Sequence, residues 1–236
     1  MRDYTFFLDG KDALDYGIQL EGEMTFSPPV PIYEAETIQG KNGDLILETG
    51  SFENRTGTAK CFILEKNASR SVGAANAFLL AKGGYRRLEN SNDPDHFWLA
   101  VVENGVDYEN RKDTLIPFDV DFDCKPQRYL KEGENPVEFS SDGNIFNGYG
   151  FTALPIIKVY GSGEGFVTIG SVTLEILENN GLLILDSETQ NAYNDFGNKN
   201  NKVKAPVFPV LIDGNNAVSF SGAIEKIEII PRWWEL

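Results

Sequence analysis

The C-terminal stretch reads GLLILDSETQNAY (181–193), then a polar loop, then FPVLIDGNNAVSFSG (208–222), then IEKIEIIPRWWEL (224–236). Leu182 to Leu185 is a short unbroken apolar run closed by Asp186, the pattern of a strand buried on both faces. Asp213-Gly214-Asn215-Asn216 is turn chemistry, because Gly and Asn tolerate a positive φ. Beyond it Val218 and Phe220 alternate with Ser219 and Ser221, the period of a half-buried strand. Ile227 and Ile229 alternate with Lys226 and Glu228 in the same way. Pro231 has no N–H to donate to a ladder and marks the end of the last strand.

Working back, strands are expected at Ile156–Tyr160, Gly165–Gly170 and Val172–Leu177, with Gly161-Ser162-Gly163-Glu164-Gly165 as a hairpin tip between the first two. No helix-length pattern interrupts them. Short, evenly spaced strands with polar turns point to a jelly-roll β-sandwich of the galectin or carbohydrate-module kind. The charged segment Lys131-Glu132-Gly133-Glu134-Asn135-Pro136 has no apolar residue and is the best candidate boundary. It divides the chain into 1–131 and 132–236.

The first half has a different pattern. Thr5–Leu8 and Gly17–Leu20 are short strands. Ser27-Pro28-Pro29-Val30-Pro31 forces an extended path and forbids a central strand. Glu34–Ile38 and Leu45–Leu47 flank Gly40-Lys41-Asn42-Gly43 and read as the arms of a long β-hairpin. KCFILEK (60–66) is a strand. A helix is expected from about Ser71 to Lys82, with Ser69 or Ser71 as cap and Val72, Ala75 and Leu79 on one face, the stripe widening to Phe78, Leu80 and Ala81. Gly83-Gly84 stops it and Lys82 suits its dipole. Phe97–Val102 and Leu115–Cys124 are further strands, with a turn at Asn104-Gly105. The expected fold is therefore mainly β: an N-terminal β-sandwich domain with one α-helix and a long hairpin, followed by the C-terminal sandwich.

LLILDSETQ (182–190), FPVLIDGNNAVSFSG (208–222) and IPRWWEL (230–236), taken in that order, resemble the C-terminal end of the distal tail protein (Dit) family of long-tailed bacteriophages. IQGKNGDLILETGSFEN (38–54), after its proline stretch, resembles that family's N-terminal hairpin, and the Gly161–Gly163 turn has a counterpart there. Leu185 stands where Ile is commoner. The resemblance is strong after residue 150 and looser before it. It implies a structural protein without enzymatic activity, forming a homo-hexameric ring at the tail tip of the virion. The N-terminal domains would build the ring and channel, and the C-terminal domains would face outward. Gly40, Asn42 and Gly43 would tip an arm that reaches the neighbouring subunit. The partners it implies are the tail tube protein, the tail-associated adhesion protein and other baseplate components, with assembly in the cytoplasm of the bacterial host.

Composition narrows the field independently. With 236 residues, one or two domains are expected, and 41% hydrophobic content provides a core. A net charge of −15 argues against sequence-independent nucleic-acid binding, which needs basic surface, and against adhesion to an anionic membrane. Residues 1–65 hold 12 acids against 5 bases, whereas 66–131 hold 10 of each. If the first portion lines a channel, DNA would be repelled from the wall and pass without tight binding. No apolar run is long enough for a membrane span, and the N-terminus carries no apolar core of a signal peptide.

The remaining candidate sites are weak. Asp119, Asp121 and Asp123 share a strand face, but Cys124 and Leu130 stand where a calcium loop needs Gly and Glu. Cys61 and Cys124 lack metal-binding spacing and read as reduced, buried thiols; with His96 as the only histidine, four zinc ligands cannot be assembled. No nucleophile elbow accompanies His96. Neither a catalytic residue, a cofactor nor a metal is expected. Trp233 and Trp234 could form a sugar-stacking platform, which makes a free-standing carbohydrate-binding sandwich the alternative reading. The plainer reading has one Trp plugging the sandwich end while Arg232 pairs with a carboxylate.

Overall fold

The computed structural model describes residues 4–64, 68–107 and 115–236. The chain forms two compact units, one holding the residues up to Arg128 together with Leu236 and one running from Tyr129 to Glu235. Both are built of curled antiparallel sheets, so the protein is mainly β, with β-sandwich domains.

In the N-terminal unit the strand order is Lys11–Asp12, Phe6–Leu8, Arg86–Asn90, Asp93–Val102, Leu115–Cys124, Arg55–Leu64 and Ile18–Leu20. The two longest neighbours pair over their whole length, from Leu115 opposite Leu64 to Cys124 opposite Arg55. Their period-two patterns turn Ala59, Cys61, Ile63, Ile116, Val120, Phe122 and Cys124 into one core. Helix Ala68–Leu80 closes that core with Val72, Ala75, Phe78 and Leu79. Leu80 is exposed, so the buried stripe is narrower than the sequence suggested.

The helix begins earlier than expected. Ser71 lies inside it, so it does not cap it; the residues just before Ala68 fall outside the described range, as does Lys66. Its C-terminal end is held by a group that no local pattern announces. Arg86 is buried and donates from one terminal nitrogen to the carbonyls of Phe78 (2.9 Å) and Leu79 (3.0 Å). Its Nε donates to Asp9 (3.1 Å), which also takes Lys82 (3.2 Å). Thus the helix's last carbonyls, which have no partner within the helix, are satisfied from the next strand.

The C-terminal unit corrects the reading of many short strands. Ile156–Ile169, Val172–Asp186 and Gly214–Ile230 are continuous and lie side by side, with Ile156–Ile169 in the middle. Gly161–Gly165 is not a hairpin tip; it lies mid-strand, where the register shifts against both neighbours. The glycines mark a crease. Gly165 pairs with Gly222. A Cβ on Gly165 would stand 2.4 Å from the Ser221 carbonyl, and one on Gly222 2.5 Å from that of Glu164. Side chains on both sides of the crease then share one core: Val167, Leu174 and Val218 with Ile157, Leu183 and Ile229. One sheet, folded over, supplies both layers of the sandwich. Leu183 and Leu185 face that core while Leu182 and Ile184 are half-buried, so this run is not buried on both faces.

The segment 131–134 is a 3-10 turn with Gly133 buried. It packs on the turn before the terminal strand: Arg232 N–H donates to the Gly133 carbonyl (2.8 Å), and a Cβ on Gly133 would stand 2.4 Å from the Trp233 nitrogen.

Candidate functional site

Strands Pro31–Thr37 and Asp44–Phe52 form a two-stranded sheet by themselves. The prolines that lead in keep residues 27–30 out of any ladder, and Pro31 enters as an edge residue, as its missing N–H requires. Gly40 and Gly43 both take a positive φ, of 84° and 81°, which reverses the chain at the tip. Asn42 lies between them, fully on the surface. Thr37 Oγ1 donates to Asp44 (2.8 Å) and Thr49 Oγ1 to the Ile32 carbonyl (2.7 Å), fixing the pairing near each end.

No residue of this hairpin is buried, although it is rich in apolar side chains. Tyr33 is 57% exposed and Ile46 49%, and Val30, Ile32, Leu45 and Leu47 are exposed as well. The register assigns them to faces, since paired residues project to the same side. Tyr33, Ala35 and Ile46 share one face with Glu48 and Asp44; Leu45 and Leu47 share the other with Glu34 and Glu36. Both faces therefore mix apolar and acidic groups. Chemically, the arm can add area and hydrogen bonds to another protein surface.

At the other end of the chain, Pro231-Arg232-Trp233 makes a tight turn. Arg232 has a φ of 56°, unusual for a residue with a side chain, and several contacts hold it there. Its guanidinium donates to Asp186 (2.8 Å), Glu188 (3.3 Å) and the Leu154 carbonyl (3.3 Å). Burial alone would raise the Asp186 carboxyl; the hydrogen bonds and charge of Arg232 outweigh it and hold the group below its ordinary range. Trp233 is buried in the core of this unit. Trp234 stacks on Phe151 with ring centres 4.5 Å apart, and its indole N–H donates to the Thr152 carbonyl (3.0 Å). The two indoles therefore do not form the paired platform that a sugar ring would need; they lock the turn.

The remaining candidates are structural in their surroundings. Asp121 accepts from Thr58 (2.8 Å), and Asp123 from Asn54 (2.9 Å), while Asp119 is exposed. Among the described residues no three His, Cys, Asp or Glu side chains gather at metal-binding range. His96 Nδ1 meets Asp93 (2.6 Å), whose other oxygen takes Arg128. Cys61 and Cys124 are free thiols, each pushed up to about 12 chiefly by burial. A thiol at that value carries almost no thiolate at neutral pH.

No family model matches the sequence, and no curated protein matches it. Three-dimensional comparison does find a likeness. The chain is similar to the crystal structure of the Dit protein (gp 19.1) of SPP1, described as a paradigm of the hub adsorption apparatus in phages infecting Gram-positive bacteria. The TM-score is 0.69, over 96% of this chain and 98% of that one, at 14% identity. The chain has the Dit fold. That likeness spans both units.

Proposed function

We propose that this protein is a distal tail hub of a long-tailed bacteriophage, a connective component without chemistry of its own. The observation that carries the reading is the Dit fold over nearly the full length of both chains. The C-terminal strings at 182–190, 208–222 and 230–236 support it from the sequence side. On this reading six copies close a ring at the virion's tail tip, through one heterologous contact repeated until closure. Residues 1–131 form the ring and 132–236 face the adhesion apparatus. The ring joins the tail tube to the tail-associated adhesion protein and the rest of the baseplate. The arm tipped by Gly40, Asn42 and Gly43 lies on the next subunit, where its exposed apolar side chains find cover.

Light scattering and electron microscopy of the purified protein test this. The expected result is a particle of about six chain masses with a central hole, and only monomers after deletion of residues 38–46. Neither particle should shift DNA at near-physiological salt, because an acidic wall repels phosphate. Monomer at every concentration, with no rings on grids, would sink the hub reading. Rings that close without residues 38–46 would remove the arm from it.

A further inference from the structure

A second feature of the N-terminal unit stands apart from assembly. In strand Arg55–Leu64, alternate residues Gly57, Ala59, Cys61 and Ile63 face the core. Period two puts Arg55 on that same face, at its open end, opposite Cys124. Phe26 lies over Gly57, where a Cβ would stand 2.9 Å from its ring. Phe26 in turn stacks on Trp98, with centres 4.2 Å apart and planes at 15°. The Arg55 guanidinium sits 5.5 Å from the centre of the Phe26 ring, and that of Arg128 5.9 Å from the centre of Trp98. Phe26, Trp98 and the two arginines, with Asn90 and Asp93 and with Glu23, Met24, Asn92 and Leu236 around them, line a pocket of about 380 Å³.

The hydrogen-bond accounting in this pocket is one-sided. Arg55 Nε and Trp98 Nε1 are buried donors without an acceptor, and Trp98 is only 3% exposed. The two acceptors nearest these donors in the chain's own strands, Asn90 and Asp93, are already engaged, and Glu23 is exposed at the rim. Asn90 Oδ1 receives the backbone N–H groups of Asn92 and Asp93 (both 2.9 Å). Asp93 receives Arg128 (2.6 Å) and meets His96 (2.6 Å). No carboxylate of the described residues pairs with Arg55. Burial lowers its proton affinity, and the nearby Arg128 charge adds to that. An unpaired, partly desolvated guanidinium beside a buried orphan N–H costs stability unless something completes it.

We propose that this pocket binds a carboxylate. The two oxygens of a carboxylate match the fork of one arginine plus a single N–H donor. A carboxylate brings one negative charge. A phosphate dianion would bring two, close to Asp93 and to Glu23 at the rim. The carboxylate could be an aspartyl or glutamyl side chain of a polypeptide or the acid group of a uronic sugar; the recognition chemistry is shared.

The test follows the Trp98 indole N–H in proton–nitrogen correlation spectra of the full chain, with Trp98→Phe identifying its signal among the three tryptophans. The α-amide of N-acetylaspartate, whose single carboxylate is the side chain, glucuronate and sulfate are titrated separately. The expected result is a saturable shift of that signal with at least one carboxylate and none with sulfate. A shift with the aspartyl amide alone assigns the pocket to polypeptide, and one with glucuronate alone to acidic sugar. Arg55→Gln should weaken binding about tenfold or more while the rest of the spectrum stays folded. Arg55→Lys, which keeps the charge and loses the fork, should fall between. Absence of a shift with either carboxylate at tens of millimolar overturns the proposal. So does an equal response to sulfate, or undiminished binding by Arg55→Gln.

Discussion

The hairpin Ile156–Asp186 and the hairpin Pro31–Phe52 are both long antiparallel pairs, rich in β-branched and aliphatic residues, yet they handle those residues oppositely. The first is creased at its glycines, joins Gly214–Ile230, and buries its apolar side chains against its own far half. The second has two glycines at its tip but no comparable crease and, among the described residues, no third strand, and it buries nothing. A side chain fully removed from water contributes about 1.5–3 kcal/mol. The first hairpin gains this within one chain. The second leaves its apolar side chains exposed. The difference therefore lies less in composition than in whether the backbone can fold back on itself.

The crease is where that contrast is easiest to break. Gly222 has a φ of 78°, and a Cβ there would stand 2.5 Å from the Glu164 carbonyl and 2.7 Å from the Gly165 Cα, both backbone atoms. Gly222→Ala should cost about 4 kcal/mol, or prevent folding of the C-terminal unit, because conformational strain and overlap add. Gly181 is the control. Its φ is 108°, but nothing lies within 4 Å of the added atom. Gly181→Ala should cost only about 1–2 kcal/mol. Chemical denaturation of the two variants decides the matter. Equal costs would mean that φ alone, and not the close approach of strands, makes the crease.

Much of this was legible because local chemistry and tertiary context agreed. The C-terminal part of Leu115–Cys124 was legible, since Phe118, Val120, Phe122 and Cys124 alternate with Asp119, Asp121 and Asp123. The arm was legible from prolines before it and Gly-Asn-Gly at its tip. The crease was not, because a glycine-rich segment between two apolar runs has the same local pattern whether the chain reverses there or merely bends. Only the pairing partners distinguish the two cases. Arg86 was missed as a helix cap because the carbonyls it serves belong to residues seven and eight positions earlier. The Arg55 pocket was hidden by a boundary error. Starting the strand at Lys60 left Arg55 in a loop; starting it at Arg55 places a guanidinium in register with Ala59, Cys61 and Ile63.

The PRW turn offers the next largest effect, and one that depends on pH. Arg232 and Asp186 are mostly buried, with side-chain exposures of 23% and 10%. Removing one partner leaves the other desolvated, so Arg232→Ala should cost about 3 kcal/mol in the C-terminal unit. Asp186 is held below its ordinary 3.8 when folded. A depressed carboxyl contributes stability that is complete above the unfolded value and is lost as pH falls through the folded one. The intact protein should therefore lose stability more steeply on acidification below that range than Arg232→Ala does. Parallel acid limbs, measured by denaturation at stepped pH, would show that the pair holds the turn by packing alone.

The arm should show the smallest effect on the folded monomer. Leu45 and Leu47 occupy one face of the hairpin and are exposed. The double variant Leu45→Ser, Leu47→Ser removes apolar surface that the monomer does not bury, so its denaturation midpoint should shift by no more than about 0.5 kcal/mol equivalent. Ile46→Ser, on the opposite face with Tyr33, should be equally silent. The assembly of one of the two variants should not be silent. A surface that covers these leucines loses part of its contact when they become serines, and larger particles should then form only at higher protein concentration, measured by light scattering. Comparing the two variants shows which face is covered, because only residues on that face should move the assembly midpoint. A monomer destabilised by about 2 kcal/mol or more would overturn the contrast between the two hairpins, since a cost of that size is characteristic of side chains already buried within one chain.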